Sequence, residues 1–97
     1  MEQPPEILDG ARVLQFASLS HSQPTGAAWH VVDGVVVSRF AGLAVARYDN
    51  NPSVYLFYCD DDWNVVTDTQ HEDVSSAIQQ ANFEFGLLEF RDAATPK

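Results

Sequence analysis

The feature that most constrains this chain is a change of hydrophobic period part-way along it. As far as His71 the apolar residues fall in short alternating runs broken by turn residues, and from Asp73 onward they recur at helical spacing. Val13 to Leu19 reads as a first strand, with Val13, Gln15, Ala17 and Leu19 on one side and Leu14, Phe16 and Ser18 on the other. Polar Ser20 to Gly26, containing Pro24, reads as a loop. Ala28 to Val32 and Val35 to Ser38 flank Asp33-Gly34, a dipeptide suited to a type I′ hairpin turn because both central residues accept positive φ. Gly42 to Tyr48 is a further strand, stopped by Asp49-Asn50-Asn51-Pro52, since Asn tolerates the left-handed region and Pro cannot extend a ladder. Ser53 to Cys59 is the most apolar run, and Asp60-Asp61-Asp62 turns the chain into a returning strand, Trp63 to Thr67.

The later pattern is one amphipathic helix from Asp73 to Phe85. Val74, Ala77, Ile78, Ala81 and Phe85 lie within an arc of roughly 100°, at about 100° per residue. Asp73 suits the N-cap with Ser76 three residues on, and Gly86 suits the position just past the helix end. Ile78 and Phe85 are expected to be buried against the sheet. The fold class is α+β: an antiparallel β-meander of about five to six strands with one C-terminal helix packed on one face. Residues 1–10 are read as a flexible lead-in turning at Asp9-Gly10, 11–91 as a single domain and 92–97 as a frayed tail; Leu87 to Arg91 fits either a packed tail or an extra strand.

Composition narrows the function classes. The 97 residues suit one domain, and 14 acidic against 5 basic side chains give a net charge of −9, which repels phosphate and argues against direct nucleic-acid binding. A single cysteine, Cys59, excludes an intrachain disulfide and a Cys-rich zinc site. The start carries no secretory signal pattern and no apolar run reaches the roughly 20 residues that span a bilayer, so a cytoplasmic protein with no membrane partner is expected. The charge is also uneven: Asp49 to Asp92 holds ten acids and one base, whereas Met1 to Tyr48 holds four acids and three bases.

Several local patterns invite chemistry. Asp60, Asp62 and Asn64 open like a calcium loop, but Val65 stands at the required glycine and His71 at the bidentate glutamate. Cys59 with His71 suggests an activated thiol, yet a cysteine among Tyr55, Leu56, Phe57 and Tyr58 suits a core, and adjacent acids raise its pKa. His21, His30 and His71 lack metal-ligand spacing. No catalytic set, metal site or cofactor is therefore assigned. The residues assigned to a partner-facing surface are Asp60, Asp61, Asp62, Trp63, Asp68, Glu72 and Asp73, together with Phe83, which lies on the helix side opposite Val74.

The run Y-L-F-Y-C-D-D-D-W-N-V-V-T-D-T-Q-H from Tyr55 to His71, the helix ending A-N-F-E-F-G, and the segments D-G-A-R-V-L and A-G-L-A-V-A-R-Y-D resemble a group of small uncharacterised bacterial proteins over most of the chain. Gln70 stands where that group's pattern has a bulky residue, often Trp, and Asn82 where it has Glu. The resemblance implies no activity and no site residue.

Small size, acidity and the absence of a catalytic motif lead to the expectation of a small acidic protein-binding module, such as an immunity-type inhibitor of a basic toxin or nuclease. A self-associating structural or regulatory subunit, a homodimer joined through a sheet face or an edge strand such as Val35 to Ser38, is the alternative. An enzyme using Cys59, His71 or the aspartates ranks last.

Overall fold

A computed structural model describes residues 3–19, 30–37 and 40–93, without side chains for 36 and 37. The loop expected over Ser20 to Gly26, with His21 in it, lies outside the described residues, as do Arg39 and the last four positions. In chain order the elements are β1 (Ile7–Leu8), β2 (Ala11–Ser18), β3 (His30–Val32), β4 (Val35–Val37), β5 (Gly42–Arg47), β6 (Val54–Cys59), β7 (Val65–His71), α1 (Val74–Phe85) and β8 (Arg91–Asp92). The main sheet is antiparallel in the order β1-β2-β5-β6-β7, and β8 also pairs with β2. The fold is thus α+β, a meander interrupted between β2 and β5 by the separate β3–β4 hairpin. Asp33 at φ 50° and Gly34 at φ 79° give that hairpin the two positive φ angles of a type I′ turn.

The two sheet faces make two cores. On the first face α1 covers Leu43, Val45, Val54, Leu56 and Tyr58 with Ala77, Ala81 and Phe85. Two alanines at i and i+4 let the helix backbone approach the sheet. Ile78, expected to be buried, is only partly buried and packs beside this cluster. The helix begins where the sequence places it: the Asp73 carboxylate accepts the Ser76 N–H at 2.8 Å, and Gly86 leaves the helix at φ 81°.

The second face holds Leu8, Ala11, Val13, Ala44, Ala46, Phe57, Cys59 and Trp63. Here the expected sides of the first strand are corrected. The register of β2 against β5 shifts between Val13 and Gln15, and that bulge reverses the alternation. Val13 therefore joins Phe16 in the second core while Leu14 packs on the first. The expected lead-in also needs correction. Its Ile7 and Leu8 form β1, the Val13 N–H bonds the Glu6 carbonyl at 2.9 Å, and Leu8 is buried. At the other end Arg91 and Asp92 pair with Phe16 and Gln15, so that part of the tail is a strand. Strands of two residues carry no readable period, which is why sequence patterning passes over both.

Candidate functional site

The three aspartates of the β6–β7 turn do different work. The Asp60 carboxylate accepts the backbone N–H groups of Asp62 and Asn64, each at 2.9 Å, and the Asn64 side-chain amide at 3.1 Å. These donors hold its pKa below the ordinary carboxylate value. Asp60 is thus the template of the turn, as Asp73 is the cap of α1. Asp61 and Asp62 are exposed and make no side-chain hydrogen bond among the described residues. Among those residues no three His, Cys, Asp or Glu side chains converge as a metal set.

Trp63 leaves the partner-facing group. The turn places it at φ 62°, a left-handed conformation uncommon for a bulky residue, and throws its indole back over the second sheet face. It is 6% exposed and meets Phe16 edge to face at 6.1 Å between centroids. Burial of so large an apolar surface, worth about 2–3 kcal/mol, outweighs the roughly 1–2 kcal/mol cost of the backbone conformation.

Asp68, the central residue of β7, is exposed and lies opposite Phe57, on the same face as the second core. Burial, then the charges of Asp9 and Asp68, raise the pKa of the half-buried Tyr48, whose ring meets that of Tyr55 at 5.3 Å. Glu72 is exposed between β7 and α1. Asp61, Asp62, Asp68 and Glu72 thus follow one strand of seven residues and its two turns, over roughly 20 Å. The described cations lie elsewhere: Arg12 and Arg47 are opposite each other on β2 and β5, and Arg91 is on β8. Phe83 is 59% exposed on α1.

Cys59 is buried in the second core, and burial followed by the charges of Asp60 and Asp9 pushes its thiol pKa up to about 12. Its surroundings favour the thiol over the thiolate. His71 faces the other side of the sheet, so the two do not meet: Val54, its partner across the strands, belongs to the first core.

Sequence reasoning missed the most heavily bonded polar group in the first core. Glu84 is 3% exposed, and its carboxylate accepts the Tyr58 hydroxyl, the Gln80 amide at 3.0 Å and His30 Nε2 at 2.7 Å. The His30 ring packs on Tyr58 and Phe40, with centroids 4.2 and 5.6 Å away. Because a carboxylate only accepts, Tyr58 donates to Glu84. On the same side of the sheet Thr69 Oγ1 lies 2.7 Å from His71 Nε2, a second hydrogen bond beside this cluster. Burial and the Glu84 charge raise the Tyr58 pKa, and burial lowers that of His71 against the opposing pull of Glu84. The network ties β3 to α1 and β6. One signal for it was present in the sequence: Glu84 falls in line with Ala77 and Ala81, a charge inside the apolar stripe of the helix.

No protein-family model, curated protein or solved structure matches this chain. No helix among the described residues is long and apolar enough to cross a membrane.

Proposed function

We propose that this chain is a small acidic protein-binding module, and more narrowly an immunity-type inhibitor that covers the basic site of a toxin or nuclease. The observation that carries the reading is the division among the acids. Asp60 and Asp73 are occupied in shaping turns, whereas Asp61, Asp62, Asp68 and Glu72 are exposed along β7 and its ends. A turn needs one templating carboxylate, so the other charges are available to steer a cationic partner, which raises association rates and suppresses acidic competitors. The described arginines sit on β2, β5 and β8 and do not neutralise this rim through any ion pair among the described residues.

The test is capture from the native cell with the wild-type chain and with Asp61→Lys, Asp62→Lys as a double variant. The reading expects a basic protein retained by the wild type and lost by the variant, with association that slows as salt rises. Equal retention by both forms would remove the acidic rim from the account. A second reading, self-association, draws on Val31 and Val35 of the β3–β4 hairpin, 61% and 63% exposed. It expects a light-scattering mass of two chains that falls to one when both valines are replaced by Ser.

A further inference from the structure

The two edges of the main sheet are finished differently. On the outer side of β2 the two-residue strands β1 and β8 close the ladder. At the opposite edge β7, seven residues long, pairs with β6 alone among the described residues. The β3–β4 hairpin lies close to β7, and His30 on β3 is bonded through Glu84, yet its strands pair only with each other. Antiparallel strands point alternate backbone N–H and C=O groups outward, so an edge of this length offers a template for another strand. Edges that must stay unpaired are commonly blunted by proline or by charged side chains; Val65–His71 has no proline, and its one acid, Asp68, bars an acidic strand rather than a basic one.

We propose that β7 is where a partner adds a strand: an extended, basic segment of another protein pairs with its outer edge and sets lysine or arginine side chains on the side of Asp68. This rests on the acidic-module reading above and names the way such a partner docks. Charge decides the occupant. Asp68 is the middle residue of β7, so symmetric antiparallel pairing of two copies would set Asp68 against Asp68, a like-charge pair directly across the strands, between chains that each carry −9. A basic strand reverses both terms. On the same face Tyr55, half-buried opposite Gln70, and Tyr48 beside it offer ring faces to a long cationic side chain that reaches past Asp68. The opposite side of an added strand would meet Thr67, Thr69 and His71, none of them acidic. The partner segment therefore has cations at alternate positions, the period of a strand with one charged face.

The experiment titrates the full chain with a short capped peptide that alternates lysine with valine and threonine, followed by fluorescence anisotropy. The same peptide N-methylated at alternate residues along one edge keeps its charge and cannot complete a ladder. The proposal expects the unmodified peptide to bind, with N-methylation lowering affinity about tenfold or more, a loss of about 1.4 kcal/mol or more. It also expects Asp68→Lys to weaken binding several-fold while circular dichroism stays that of the wild type. Equal binding of the two peptides would overturn strand addition and leave the acidic-module reading standing. If neither peptide binds and salt has no effect, both fall. A glutamate-for-lysine peptide that binds as tightly as the lysine one would also overturn the choice of occupant.

Discussion

Replacing Glu84 with Ala should be among the most damaging single changes away from the large apolar residues of this fold. The substitution removes the acceptor of three hydrogen bonds at a site 3% exposed. Tyr58 is fully buried, so its hydroxyl loses the carboxylate that accepts from it. A buried donor left without its acceptor costs about 1–3 kcal/mol, and the part-buried His30 nitrogen adds to that. The relief of desolvating a carboxylate works the other way, and measured losses for breaking a buried pair by removing one member run at about 3–5 kcal/mol. We expect that range, a large share of the roughly 5–15 kcal/mol margin of a domain. Glu84→Gln, which keeps the volume and one acceptor, should lose about 1–2 kcal/mol. Urea unfolding followed by tryptophan fluorescence measures both. Tyr58→Phe in the Glu84→Ala background should cost less than in the wild type, because the two side chains share one bond. Because Glu84 holds β3 through His30, hydrogen exchange in the hairpin should also quicken in Glu84→Ala. A loss under about 0.5 kcal/mol, or strict additivity with Tyr58→Phe, would refute the network as an anchor of the fold.

Further outcomes follow from the same structure. Cys59, buried with its pKa pushed up to about 12, should react slowly with a thiol reagent in the native state at neutral pH and quickly once unfolded; rapid stoichiometric labelling of the native chain would return the thiol to candidacy as a nucleophile. His71 has its pKa lowered below the ordinary 6.5 by burial, so its contribution to stability is present above about pH 6.5 and is lost as pH falls through the lower folded value. His71→Gln should therefore flatten the fall in urea midpoint over that window, and an unchanged slope would reject the assignment. Asp60→Ala should lower the urea midpoint and increase Trp63 exposure to a fluorescence quencher, whereas Asp61→Ala should stay within about 0.5 kcal/mol of the wild type. Equal losses at the two aspartates would contradict the separation of templating from exposed charge.

Features set by neighbouring residues were legible in the sequence. The type I′ turn at Asp33-Gly34 and the helix with Asp73 at one end and Gly86 at the other depend on local backbone preferences, and the structure places them accordingly. Features set by distant contacts were not. The bulge between Val13 and Gln15 reverses the faces of β2 because the register against β5 requires it, and no spacing rule within β2 announces that. Trp63 after three aspartates reads either as a rim aromatic or as a core residue at the strand start, and the turn geometry that folds it inward decides for the core. Glu84 meets His30 and Tyr58 from 54 and 26 positions away, a separation that leaves no local motif. Its place in the apolar stripe was the single visible trace. The proposed surface was legible as a region of charge, since the acids of Asp49 to Asp92 are plain in the composition. Which of them are exposed depended on where each carboxylate finds donors, and that only the folded turn and helix cap determine.

The most direct test of the acidic rim as a binding surface is hydrogen exchange of the chain alone and in complex with the basic partner that it captures. The account predicts that deuterium uptake falls across Val65–His71 on binding, with the β1 and β8 edge unchanged. Protection confined to β1 and β8, with Val65–His71 exchanging as fast in the complex as in the isolated chain, would contradict it.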